Sequence, residues 1–349
     1  MKILFGVFEL GLGHATRCTP LIEILLSKKH EVHIISTGRS LNILKETFKE
    51  KCVYYDICGI HSFYNSNFFK TNFAIHINSI IKSLKKARVE SKLVIDKGKF
   101  DLVISDCRYD IFDKVENSFL INHQLRLMAP IGCEMIIEKY LNSMMNNYSK
   151  IIVPDFETSS LSGRLSHGLR YIAKDKIDYI GILSSVKKLN LKEDVDIFIS
   201  LSGPEKTRLK LEKKIISQAL NLNEKVVITG GNPDKHETKK FENITYYSYL
   251  KTKEQQNLMN RAKFLVIRSG YTTIMELAEL NKKALLIPSP GQTEQEYLGD
   301  YLEEKKYFHH ISQSKINLIK DIKVARKLDG FVPPWTTNES VKKFIKAIS

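Results

Sequence analysis

Ile3-Leu4-Phe5-Gly6-Val7-Phe8 runs directly into Glu9-Leu10-Gly11-Leu12-Gly13-His14-Ala15-Thr16-Arg17. The first stretch is a compact β-branched and aromatic run, the pattern of a strand buried on both faces. The second is a glycine turn that opens a helix, because apolar residues then recur at Leu21, Ile22, Leu25 and Leu26 with helical spacing. Strand, tight turn and helix in that order predict an α/β unit with parallel strands.

Outward from there the alternation continues. Strands are expected at Val32–Ser36, Val53–Ile57, Leu102–Asp106, Phe119–Asn122 and Ile151–Pro154, with helix-length segments between them. The scheme repeats at Ile197–Leu201, Val226–Thr229, Ile244–Tyr247, Phe264–Ile267, Ala284–Ile287 and near His309–Ile311. At 349 residues the chain is too long for one ordinary core and suits two. The division expected is 1–185 and 190–334, joined through a Lys-rich stretch near Leu183–Lys192. An amphipathic helix at 336–349, after Pro333-Pro334-Trp335, is expected to pack back on the first domain. The fold class is α/β, two Rossmann-like domains with parallel sheets facing across a cleft.

Composition narrows the function. No apolar run reaches the roughly 18 residues of a transmembrane helix. The N-terminal apolar run is too short for a signal peptide, so a cytoplasmic protein is expected. The five cysteines, Cys18, Cys52, Cys58, Cys107 and Cys133, form no Cys-x-x-Cys pair, which argues against a disulfide framework or zinc site. The net charge of +15 is compatible with phosphorylated substrates or an anionic surface. The lysines are scattered without an aromatic-basic recognition motif, so no nucleic-acid partner is expected.

Ligands of open parallel sheets bind beyond the carboxyl ends of the strands. Gly11 and Gly13 permit the first turn, and His14 has the pKa range of a general base, although a histidine there can equally cap the helix. No glycine stands at Thr16 and no acidic residue ends the second strand, where Ile34-Ile35-Ser36-Thr37 lies, which argues against a nicotinamide fingerprint. Asp106 ends the fourth strand on the same rim and is placed to orient His14, or to cap the next helix. His123 ends the fifth and either lines an acceptor site or packs. In the second half, Ser202-Gly203 and Thr229-Gly230 are strand-to-helix turns whose N–H groups suit a phosphate, although glycine turns of this kind also arise for packing. Arg268-Ser269-Gly270-Tyr271-Thr272-Thr273-Ile274-Met275-Glu276 places a cation, a glycine turn and two threonines before a helix, with Glu276 able to accept two ribose hydroxyls. Gln292-Thr293-Glu294-Gln295 opens a further helix on that rim.

The segment Arg268–Gln295 resembles the donor-binding signature of GT-B glycosyltransferases. These include the UDP-glycosyltransferases and the peptidoglycan N-acetylglucosaminyltransferase, the group with a glycosyltransferase 28 C-terminal domain. Arg268 takes the place of the signature's His, Tyr271 of its Trp, Thr272 and Thr273 of its Asn-Ser, and Glu276 of its ribose-binding Glu. Glu294 and Gln295 take that of its hexose-binding pair, while Leu298-Gly299 replaces Asn-Ala. Gly-Leu-Gly-His-Ala-Thr-Arg, Ile-Ser-Asp-x-Arg-Tyr, His-Gln-Leu, Leu-Ser-Gly-Pro-Glu and Pro-Gly-Gln-Thr-Glu-Gln-Glu-Tyr look like a largely uncharacterised bacterial and archaeal branch. The resemblance implies an inverting, metal-independent transferase. A nucleotide diphosphate sugar, with UDP as the expected base, is its donor substrate, and no cofactor is implied. His14 is the implied base and Asp106 its partner. The acceptor is a hydroxyl compound, lipid-linked if the basic amphipathic stretch 75–99 contacts a membrane: Ile77, Ile80, Ile81 and Leu84 share a face near Lys82, Lys85, Lys86, Arg88 and Lys92. The alternatives are a sugar-nucleotide 2-epimerase of the same fold and a non-catalytic sugar-nucleotide-binding protein.

Overall fold

The computed structural model describes residues 1–59, 73–113, 117–128, 133–232 and 234–349, without the side chains of 73–81. The chain divides into two units, Met1–Ser185 with Pro334–Ser349, and Val186–Pro333.

The first unit holds β1 (Lys2–Val7), α1 (Leu12–Ser27), β2 (Glu31–Ser36), α2 (Gly38–Phe48), β3 (Cys52–Asp56) and α3 (Phe73–Gly98). After these come β4 (Leu102–Asp106), β5 (Asn117–Ile121), α4 (Cys133–Met145), β6 (Lys150–Val153) and β7 (Ile177–Tyr179). Its strand order is β3-β2-β1-β4-β5-β6-β7, parallel throughout. Ile3, Leu4, Phe5 and Val7 of β1 are fully buried, as are Val103 and Ile104 of β4. That is why these runs lack the alternation of a half-exposed strand. Within this unit the chain end returns as α10 (Thr337–Ile348), with Phe344 fully buried and Trp335 Nε1 donating to the Ile180 carbonyl at 2.9 Å. Gly181 has φ +90, and a Cβ there would stand 2.2 Å from Trp335 Nε1.

The second unit contains β8 (Val195–Ser200), α5 (Glu205–Ala219), β9 (Val226–Thr229), β10 (Thr238–Phe241), β11 (Ile244–Tyr247), α6 (Thr252–Arg261) and β12 (Ala262–Ile267). It continues with α7 (Tyr271–Leu280), β13 (Ala284–Leu286), α8 (Thr293–Glu304), β14 (His309–His310) and α9 (Leu318–Ala325). The order is β10-β11-β9-β8-β12-β13-β14. The sheet is parallel except at β10, which pairs antiparallel with β11. The exposed, lysine-bearing β10 is absent from the strands expected above, because Thr238–Phe241 buries nothing and so carries no apolar signal.

In both sheets the strand order reverses beside the first strand of the unit, between β1 and β4 and between β8 and β12. Crossovers leave in opposite directions there and open a crevice at the carboxyl ends. The loops after these four strands therefore decide what each unit can hold.

Candidate active site

In the first unit, Gly11 is the N-cap of α1 with φ 73 and ψ 156, a backbone state that glycine alone adopts readily. Ser40 Oγ donates to the carbonyls of Glu9 and Gly11 and holds the turn. Gly13 and His14 thus fall in the first helical turn, not at a loop tip. The β1–β4 register places Val7 opposite Asp106, which brings His14 Nδ1 to 2.6 Å from Asp106 Oδ2. The Phe8 ring meets the imidazole edge-on, with centroids 5.0 Å apart.

Asp106 is fully buried. Burial pushes its carboxyl pKa up, but the Arg17 guanidinium and His14 outweigh this and hold it below the ordinary value. An ionised carboxylate only accepts, so the His14 proton is on Nδ1 and Nε2 keeps its lone pair. Among the described residues nothing bonds to that Nε2, and the side chain remains 17% exposed. Burial and Arg17 together lower the pKa of His14 against the pull of Asp106. The imidazole therefore sheds its proton below the ordinary histidine value of 6.5.

Arg17, to which the sequence reading gave no role, contacts Asp106 and donates from Nη1 to His123 Nδ1 at 2.8 Å. His14 and Arg17 stand three residues apart on one helix face, which is a signal, but the partner 89 residues away is not legible from spacing. His14, Asp106 and Cys107 bring possible metal ligands within 4.8 Å of one another. The guanidinium already bonds both Asp106 and Cys107, and a buried cation in that place opposes a metal ion.

Glu9 and Arg108 form a second buried set. Arg108 bonds Asp110 at 2.7 and 2.8 Å and the Ile57 carbonyl at 3.1 Å, and Glu9 accepts from Gly59 N–H at 2.8 Å. These contacts tie together the loops after β1, β3 and β4.

In the second unit, Ser202 and Gly203 are exposed, and their N–H groups have no protein partner among the described residues. Gly203 has φ +99, and a Cβ there would stand 3.1 Å from Ser289 Oγ, a buried hydroxyl that itself lacks a partner. The Thr229-Gly230 turn differs from expectation. Gly230 N–H donates to Tyr247 and its carbonyl accepts from Arg208, while Thr229 is buried and its carbonyl accepts from Leu201. That turn continues the sheet and presents no free N–H at Gly230.

Arg268 is also placed otherwise than expected. It is buried, and it donates to the Ser202, Ile287 and Pro288 carbonyls and to Gln313 Oε1. It braces the loop after β8 instead of reaching into solvent, and burial lowers its pKa to about 10. Ser269 bonds the Gln295 carbonyl, and the Gln295 amide is taken by Ser289 N–H and Gln292, the N-cap of α8. The Tyr271 ring is 2% exposed and offers no face to a base. Glu294 is half-buried and has a partner within the protein. These side chains lock the loops after β12 and β13 together.

What remains for a ligand is specific. Gly270 is the N-cap of α7. Thr272 and Thr273 are half-buried and, among the described residues, their hydroxyls bond to no protein group. Glu276, in the second turn, is 9% exposed with no hydrogen-bond partner among those residues, and burial alone raises its pKa to about 7. A buried carboxylate without partners costs stability and is open to a hydrogen bond from outside the chain. Of two cavities, one of about 720 Å³ adjoins the Arg268 network, lined by Pro288 and Gln313 with Lys210, Lys214 and His310, and one of about 730 Å³ lies beside Lys150 and Lys343. Neither includes His14 or Glu276.

Paired doubly wound units, each with ligand-type loops at its switch point, define the GT-B class, and the comparisons agree. A glycosyl transferase family 1 model matches residues 1–125, and the glycosyltransferase family 28 C-terminal domain model matches residues 204–340. An uncharacterized glycosyltransferase of Methanosarcina mazei is 24% identical over 345 residues, covering 90% of this chain and 86% of its own. The glycotransferase of kitacinnamycin is similar in structure with a TM-score of 0.67 at 11% identity, covering 98% of this chain and 93% of that one. The spinosyn rhamnosyltransferase SpnG complexed with thymidine diphosphate gives 0.62 at 12%, covering 98% and 95%. The chain is a glycosyltransferase with the GT-B fold. Its second unit matches the family 28 C-terminal domain, as the Arg268–Gln295 segment implied.

Proposed function

We propose that the chain moves a hexose-type sugar from a nucleoside diphosphate to an acceptor hydroxyl, with inversion and without a metal ion. The unpartnered, buried carboxylate of Glu276 carries this reading. It accepts the ribose hydroxyls, while Thr272, Thr273 and the N–H groups of Ser202 and Gly203 donate to the diphosphate. His14 Nε2 takes the acceptor's proton. The acceptor oxygen bonds to the anomeric carbon as the bond from that carbon to the phosphate oxygen breaks, and the electron pair leaves on the diphosphate. Helix dipoles, these N–H groups and the nearby charge of Arg268 stabilise that leaving group in place of a metal.

Uridine diphosphate is the proposed carrier. The thymidine diphosphate complex of SpnG and the dTDP complex of the glycosyltransferase VinC make thymidine diphosphate the rival to test beside it. The epimerase alternative needs carboxylates free to move a proton on the sugar ring. Asp106 is held by Arg17 and Glu9 by Arg108 and Gly59, which favours transfer.

A lipid-linked acceptor remains part of the proposal through α3. Ile77, Ile80 and Ile81 lie outside the described side chains, and Arg88 is committed to the Asp110 and Phe112 carbonyls. Val89 and Leu93 are exposed beside exposed Lys82, Lys85, Lys86 and Lys92, a surface suited to anionic lipid. Among the described residues no helix is long and apolar enough to cross a membrane.

The test is release of nucleoside diphosphate from a panel of UDP- and dTDP-sugars with acceptor alcohols, in the presence of EDTA and with His14→Ala as control. Acceptor-dependent release by the wild type alone supports the proposal. Release that needs a divalent cation, or that survives His14→Ala, contradicts it.

A further inference from the structure

Arg17 stands in the second turn of α1 and is 1% exposed. A guanidinium so buried is costly unless its donors are used, and here they are. Nε and Nη2 donate to Asp106 Oδ1, Nη2 also reaches Cys107 Sγ at 3.2 Å, and Nη1 meets His123 Nδ1. The His14 ring takes the other carboxylate oxygen, Oδ2. One permanent cation therefore joins α1, the end of β4 and the turn after β5.

Two things follow from donor chemistry. A guanidinium only donates, so His123 Nδ1 accepts and the ring proton of His123 sits on Nε2. Asp106 is shared between Arg17 and the imidazole, and a guanidinium that sets two N–H groups on one carboxylate oxygen keeps that carboxylate ionised. A proton taken by His14 then stays on the imidazole and is not passed to Asp106.

We infer that Arg17 is a positioning residue for the transfer reaction, fixing Asp106 as the anion that aims His14 and fixing His123 as a hydrogen-bond donor through its Nε2. The inference rests on the reading of His14 as the base. The groups that face His14 are Arg17 on its own helix, Asp106 and Cys107 at the end of β4, and His123 beyond β5. Phe8 adds an uncharged ring edge. Arg17 is the fixed cation of that set, so its removal leaves only burial and the weaker effect of His123 against the pull of Asp106 on the imidazolium.

Histidine-selective ¹³C and ¹⁵N labelling of the full chain, followed by NMR titration, reads both consequences without a sugar substrate. The wild type is expected to show His123 as the Nε2–H tautomer, and an Nδ1–H ring at that position overturns the inference before any variant is made. In Arg17→Met the His14 titration is expected to move to higher pH. Arg17→Lys, which restores a cation without the fork, is expected to bring it back toward wild type while His123 becomes a mixture of tautomers. Coincident His14 titrations in wild type and Arg17→Met overturn the inference. Should Arg17→Met fail to fold, an unchanged His123 tautomer in Arg17→Lys does the same. These signatures do not depend on turnover, so their loss is distinguishable from an absence of transferase activity.

Discussion

Arg268 Nε donates to the Ser202 carbonyl at 3.1 Å, so the loop after β12 fixes the loop after β8. The same guanidinium reaches the loop after β13 through Ile287 and Pro288. Among the described residues no carboxylate bonds to it, and its uncompensated charge lies beside the free N–H groups of Ser202 and Gly203. An anion bound there would supply the missing counter-charge.

Arg268→Met is accordingly expected to leave at least three carbonyls unpaired and to lower stability by about 2–4 kcal/mol. Nucleoside diphosphate affinity is expected to fall at least about tenfold, because the loop after β8 loses its brace. Arg268→Lys cannot span the same acceptors and is expected to restore little. Urea unfolding and titration calorimetry on the three proteins check this.

Glu276 gives a pH signature. Its pKa is raised by burial to about 7 in the folded protein, above its ordinary 4.5. The associated stability is fully present below about pH 4.5 and is lost as pH rises through about 7. Glu276→Gln is therefore expected to raise the stability of the ligand-free protein at pH 8 by up to ~3 kcal/mol. It is expected to change little at pH 4.5 and to weaken nucleotide binding at either pH. Denaturant unfolding of both proteins at the two pH values measures it.

Strand ends were the most legible part of this sequence. Val7 and Asp106 terminate buried apolar runs, and the rule that ligands bind past such ends points to His14 and Asp106 from the sequence alone. Glu276 was legible through the order of residues around it. Arg17 was not, because its significance lies in burial against a residue from another strand. Gly230 and Tyr271 misled for the opposite reason. A glycine turn reads alike whether its N–H meets a phosphate or, as at Gly230, the carbonyl of Tyr247. An aromatic residue at a helix start likewise reads alike whether its ring is open or in the core.

Gly203→Ala forces a side chain onto φ +99 and sets its Cβ 3.1 Å from Ser289 Oγ. A loss of ~1–3 kcal/mol is expected, together with weakened diphosphate binding, since the methyl group crowds the approach to the N–H groups. Gly11→Ala also occupies a positive φ, with open space around its Cβ. It is expected to destabilise comparably while leaving nucleotide affinity unchanged. Parallel thermal melts and calorimetry separate the two loops.

His14→Ala is expected to cut transfer by about 10²–10⁴-fold with nucleotide affinity intact. In the wild type, kcat/KM should fall on the acid side as His14 is protonated, at a pH below the ordinary histidine value of 6.5, because burial and Arg17 lower its pKa. An acid limb above pH 6.5 would assign the base to another group.

The most direct measurement is a thermal-shift titration of the wild type and Glu276→Ala with UDP, dTDP, GDP, ADP and CMP. A ligand that binds only the folded state stabilises by about 2.7 kcal/mol at a hundred times its Kd. One pyrimidine nucleoside diphosphate is expected to raise the wild-type midpoint and to leave that of Glu276→Ala in place. No shift with any nucleotide at millimolar concentration, or equal shifts in the two proteins, would contradict the assignment of this carboxylate to the donor.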